Sequence, residues 1–128
     1  MARSHPILAL VTALYLVLIA TFTFVGGDDE QPPSPMWALV VFVGVGVLLT
    51  ALSSPRRWWV ALGFGWLGAA WIEAAQSVWR PAGYASIMDL AFGAVGTVIG
   101  VGLVVAIRWA RARAVATAAA PQPAHPQS

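Results

Sequence analysis

Apolar residues in this chain gather into long unbroken runs, and charge is concentrated in the gaps between them. The first run extends from Pro6 to Val25 without a charged residue, the second from Met36 to Leu52, the third from Trp58 to Ile72 and the fourth from Leu90 to Ile107. An α-helix rises about 1.5 Å per residue, so apolar helices of about 17–25 residues match a hydrocarbon layer about 30 Å thick. The gaps carry helix breakers. Gly26 to Pro35 combines paired glycines, the acids Asp28, Asp29 and Glu30, and three prolines; these residues favour loop backbone and water. Ser53-Ser54-Pro55-Arg56-Arg57 is a short polar turn. Arg80 precedes Pro81, which disfavours helical backbone at Arg80, and Pro81-Ala82-Gly83 supplies turn chemistry. Ser86-x-x-Asp89 reads as a capping box. The pattern predicts helices over 6–25, 36–52, 58–79 and 86–108.

Arg3 and His5 ahead of the first run resemble the basic start of a secretory leader. A leader's apolar region is usually about 7–15 residues long and ends at a small-x-small cleavage site. Here the run is longer and no such site follows, so a retained helix is expected.

Composition turns the helix pattern into a choice of solvent. Hydrophobic residues make up 59% of the chain and charged residues 9%, a balance that suits lipid better than water. The seven basic residues are all arginine, and they flank apolar runs instead of forming a basic patch, so nucleic acid is not expected as a partner. If the amino terminus is cytoplasmic, Arg3, Arg56, Arg57, Arg108, Arg111 and Arg113 fall inside and Arg80 outside, as the positive-inside rule requires. Trp37 and Trp79 then lie near the outer interface, and Trp58, Trp59 and Trp109 near the inner one. The expected fold is all-α: an integral membrane bundle of four transmembrane helices, multi-pass in the cell membrane, both termini cytoplasmic. Residues 1–113 form one membrane domain surrounded by the lipid bilayer. Residues 114–128, rich in Ala, Pro and Gln, are expected to be a disordered cytoplasmic tail, its basic start drawn to anionic lipid.

Against this background the polar residues of the third and fourth helices stand out. An ionisable group at membrane depth costs roughly 2.5–3.5 kcal/mol on insertion scales and persists for pairing or function. Glu73, Gln76 and Arg80 lie at offsets of zero, three and seven, which at about 100° per residue is one narrow helix face. Leu62, Trp66 and Ala69 continue that face. Asp89, Gly93, Gly96 and Gly100 form a matching stripe on the fourth helix, whose glycines read as a helix-packing surface. The short connection makes these two helices antiparallel neighbours. Glu73, Gln76, Arg80, Ser86 and Asp89 are thereby gathered into an outward-facing ligand-binding or functional cluster. Taken singly, Asp89 reads as a helix cap and Arg80 as an interfacial anchor, whereas no cap requires Glu73. Trp66 and Trp71 read as bundle filling, and Thr12, Tyr15, Thr21 and Thr23 as interhelical bonding groups.

Other chemistries find little footing. His5 and His125 lie far from the cluster, Cys is absent, and Asp28-Asp29-Glu30 lacks calcium-loop spacing, so no metal site is expected. No nucleotide-binding or nucleophile-elbow motif occurs, so neither a cofactor nor an enzymatic activity is assigned.

The cluster resembles the VanZ-like family of small bacterial membrane proteins. That family's signature is E-x-x-Q at the end of one membrane helix, then P-G-R-x-S-x-x-D, then N-x-x-G. The counterparts are Glu73-Ala-Ala-Gln76, then Ala82-Gly83-Tyr84-Ala85-Ser86-Ile87-Met88-Asp89, then Gly93-Ala94-Val95-Gly96. The chain departs from the pattern at Tyr84, where the family carries Arg, and at Gly93, where it carries Asn. It also lacks the D-K-x-x-H often found entering the family's second helix, with Pro35-Met36-Trp37-Ala38 in its place. The resemblance spans about residues 66–100. It implies a cell-envelope protein linked to glycopeptide (teicoplanin) resistance, with Glu73, Gln76, Ser86 and Asp89 as its core and Tyr84 and Arg80 beside them. The expected ligand is a lipid headgroup, a cell-wall precursor or a glycopeptide at the outer leaflet. Two alternatives stay open: a small proton-coupled transporter using Glu73 and working as a homo-oligomer, and a structural membrane subunit whose glycine stripe docks a partner.

Overall fold

The structure, a computed structural model, describes residues 6–25, 34–80 and 86–119, with side chains for 6–22 in the first of these stretches. The described residues form four α-helices and one 3-10 turn: α1 (Pro6–Val25), α2 (Pro35–Leu52), the turn Pro55–Arg57, α3 (Trp58–Trp79) and α4 (Ile87–Ala118). The acidic loop, Tyr84 and residues 120–128 lie outside the described residues.

Local chemistry accounts for most of the boundaries. Ser34 caps α2 by accepting from the Met36 N–H at 3.2 Å, and Pro35 takes the first helical position, where a missing N–H costs nothing. α2 therefore begins one residue before the expected Met36. Arg80 ends α3 in extended backbone, as a residue before proline should. Ser86 is the N-cap of α4.

The far end of α4 differs from expectation. The helix continues through Arg108 to Ala118, so the start of the expected tail, Ala114 to Ala118, is helical. A charge ends an apolar run but not a helix, because arginine and alanine are both strong helix formers. The Arg113 guanidinium lies 3.4 Å from the centre of the Trp109 ring one turn earlier, a stacking that favours the extended helix. At about 1.5 Å per residue the 32 residues of α4 reach about 48 Å, well beyond one hydrocarbon thickness.

α2 and α4 form the central pair and run parallel. Leu39 meets Gly96, Gly46 meets Gly100, and Thr50 lies beside Arg108. Glycine makes this approach feasible: a Cβ at Gly96 would strike the Leu39 carbonyl, one at Gly100 the Val43 carbonyl, and one at Gly46 the Thr97 carbonyl. Small residues supply such contacts where no hydrophobic effect drives helices together. The helix seated on the glycine stripe is this chain's own α2. α3 runs antiparallel to α4, with Gly65 against Thr97 and Ala69 against Gly93. α1 is fastened to α2 by the Tyr15 hydroxyl, which donates to the Val41 carbonyl at 2.9 Å above Gly44.

The interior combines a small apolar cluster of Phe42, Val45 and Ala69 with small and hydroxylated residues. Thr50 and Thr97 are fully buried, and each donates to its own helix, to the Gly46 carbonyl at 2.7 Å and the Gly93 carbonyl at 3.0 Å, so no hydroxyl is left bare. Most large apolar residues face outward. Trp66 and Trp71, expected to fill the bundle, are 49% and 60% exposed, because glycine-mediated contact leaves no room for an indole. α2 and α4 are long and apolar enough to cross a membrane.

Candidate functional site

The polar cluster forms at the junction of α3 and α4. Glu73 and Gln76 stand on one face of α3 and, with Arg80 just past its last residue, line a cavity of about 450 Å³. Asp89, in the first turn of α4, lines the same cavity, so the antiparallel pairing brings together the residues that the sequence separates. The remaining wall is mostly apolar, with Tyr15, Ile19 and Phe22 from α1, Trp37 and Phe42 from α2 and Ile72 from α3, and Ser34 also borders it. Ser86 lies on the other side of Glu73, in a shallower pocket of about 310 Å³ with Ala74, Ile87 and Leu90.

The two acids have exchanged the roles expected of them. In a capping box the N3 side chain reaches back to the N-cap N–H, and Asp89 occupies N3 of α4. The N–H of Ser86 instead donates to Glu73 Oε2 at 2.8 Å, while Ser86 Oγ accepts from the Met88 N–H at 3.2 Å. Half of the box is thus completed from another helix. A carboxylate at a helix N-terminus is favoured both by the hydrogen bond and by the partial positive charge there, so Glu73 joins α3 to the start of α4. Asp89 is released from that task. Its Oδ1 is buried and has no hydrogen-bond partner among the described residues. A buried carboxylate oxygen without a donor carries an uncompensated desolvation cost.

Tyr84 lies outside the described residues, so the cluster that the structure brings together is Glu73, Gln76, Arg80, Ser86 and Asp89. Among the described residues no three metal-binding side chains converge. Thr12 and Thr21, read as interhelical groups, instead donate within α1 to the Leu8 and Val17 carbonyls at 2.8 and 2.9 Å. Three residues have roles that sequence reasoning missed. Tyr15 and Trp37 wall the cavity, and no local pattern says which face of α1 or α2 will border α3. Arg108 closes the opposite end of the bundle, donating through one terminal nitrogen to the carbonyls of Thr50, Ala51 and Ser53 at 2.9, 3.3 and 3.1 Å. Its position just after an apolar run signalled only an interface, whereas it caps the negative end of α2.

No family model, curated protein or solved structure matches this chain.

Proposed function

We propose that this chain is a four-span integral membrane protein, with both termini cytoplasmic and a VanZ-like character, that receives an amphiphilic molecule of the cell envelope at the outer leaflet. The observation that carries this reading is the cavity itself, apolar along α1 and α2 and polar at the end bearing Glu73, Gln76, Arg80 and Asp89. A site with one oily wall and one polar end suits a molecule with the same division. Immersion in lipid is supported by the large apolar residues turned outward on all four helices, such as Leu14, Val40, Phe64 and Leu103, which form far more exposed apolar surface than a water-soluble chain tolerates.

The expected phenotype, from the family resemblance, is reduced susceptibility to a glycopeptide. Cells carrying wild type, Glu73→Gln, Asp89→Asn or an empty vector at matched membrane levels are compared for teicoplanin susceptibility. Protection by wild type that is lost in Asp89→Asn supports the proposal. Equal susceptibility in all four strains removes glycopeptide resistance as the function.

A further inference from the structure

We infer that the end of the bundle away from the cavity's acids is a binding surface for the head of an anionic phospholipid, held by Arg56 and Arg57 of the 3-10 turn and by Arg111 and Arg113 of α4. The inference rests on the membrane-spanning reading above, and adds a partner at the opposite end from the cavity.

The four arginines share one end of the molecule. Arg108 donates to the Ser53 carbonyl, so this part of α4 lies against the end of α2, and Arg56 and Arg57 follow Ser53 by three and four residues. Arg111, three residues beyond Arg108, stands about 60° away around the helix and so over the same flank. All four side chains are exposed. No acidic side chain balances them. Glu73 and Asp89 stand toward the other end of α3 and α4. Asp28, the acid furthest ahead of Ser34, precedes it by six residues, at most about 22 Å of extended chain; α2, with 18 residues, is about 27 Å long. The carbonyls of Thr50, Ala51 and Ser53, at the negative end of α2, already accept from Arg108. Arg57 precedes α3 at its positive end, where a cation is disfavoured. An external anion is therefore favoured here.

Position selects a lipid as its source. The apolar run of α4 ends at Ile107, and Arg111 and Arg113 stand about 4.5 and 7.5 Å along the axis beyond Arg108. The polar layer of a bilayer is about 5–7 Å deep on each side. Trp58, Trp59 and Trp109 are exposed at the same end, and indoles favour that layer. Lipid phosphates lie within it, and a guanidinium fork matches their oxygens. Arg113 stacks on the Trp109 ring at 3.4 Å, which leaves its N–H edge for such an oxygen.

Trp109 stands beside these arginines and reports the lipid. The full chain is placed in phosphatidylcholine vesicles containing a minor fraction of bromine-labelled phosphatidylglycerol or bromine-labelled phosphatidylcholine with the same chains. Quenching of Trp109 is taken as the difference between wild type and Trp109→Phe. The glycerol lipid is expected to associate about tenfold more tightly than the choline lipid, the scale of one or two arginine contacts, and to lose this advantage as sodium chloride is raised. Replacing Arg56 and Arg57 by Gln, or Arg111 and Arg113 by Gln, is expected to reduce the preference, and replacing all four to abolish it. Equal quenching by the two lipids overturns the inference in wild type alone, whatever the folding of the variants. A preference that survives in the four-glutamine protein at wild-type helicity overturns the assignment to these arginines. A preference removed by inorganic phosphate, at an ionic strength where sodium chloride leaves it intact, overturns the lipid as the source of the anion. Both leaflets carry the labelled lipid, so the result does not depend on which way the chain is inserted. Absent head selectivity with intact teicoplanin protection defeats this inference alone, and the converse result defeats the proposed function alone.

Discussion

Glu73 and Asp89 are both acids in an apolar setting, yet the bonds they make assign them opposite work. Glu73 accepts the Ser86 N–H at 2.8 Å, so truncating it orphans a backbone donor at the start of α4. An unsatisfied buried donor costs about 1–3 kcal/mol. Asp89 Oδ1 accepts from none of the described residues, and the aspartate's charge near the helix N-terminus is worth only about 0.3–1 kcal/mol. Glu73→Ala is therefore expected to lower the stability of the purified protein by about 1–3 kcal/mol, and Asp89→Asn by less than about 1 kcal/mol. Unfolding in mixed micelles measures both, and an Asp89→Asn loss equal to that of Glu73→Ala contradicts the division of labour. Residue type and spacing made Glu73 legible as a residue with a purpose. They did not reveal the purpose, because the Ser86 N–H that it meets lies thirteen residues away across a turn.

Helix contacts decide which glycines matter. Gly96 and Gly100 face α2 at backbone distance, whereas a Cβ at Gly63 or Gly102 meets open space. Alanine at Gly96 or Gly100 must push two backbones apart, an overpacking cost of typically 1–3 kcal/mol. Alanine at Gly63 or Gly102 relieves a flexible residue inside a helix, a gain of roughly 0.5–1 kcal/mol. The expected order of stability is Gly102→Ala and Gly63→Ala above wild type, then Gly96→Ala and Gly100→Ala below it. Unfolding in mixed micelles gives that order, and indifference at Gly96 and Gly100 contradicts close α2–α4 packing. The stripe at Gly93, Gly96 and Gly100 was readable from its spacing. Its occupant was not, since any helix with a smooth face satisfies such a stripe.

For the molecule as a whole, the membrane-spanning proposal makes a statement about sidedness that can be tested. The chain contains no cysteine, so single cysteines report topology without background. Ser34 and Ser54 are exposed at opposite ends of α2. In intact cells a membrane-impermeant maleimide is expected to label Ser34→Cys, and to label Ser54→Cys only after permeabilisation. The reverse pattern places the polar end of the cavity on the cytoplasmic side and removes the envelope-facing proposal.

Sequence alone determined the helical character, most helix ends and the residues gathered at the site. Those features follow from run length, proline and serine at boundaries, and the angular period of a helix, all local along the chain. Tertiary structure decided the rest: α2 rather than a partner on the glycine stripe, large tryptophans outside rather than within, Arg108 as the cap of α2, and Tyr15 and Trp37 as walls of the cavity. It also moved the capping task from Asp89 to Glu73. Each of these depends on which helix faces lie against each other. Several faces of each helix are nearly equally apolar, so the apolar pattern does not choose among them, and the choice falls to small residues and a few hydrogen bonds that act only once the helices are side by side.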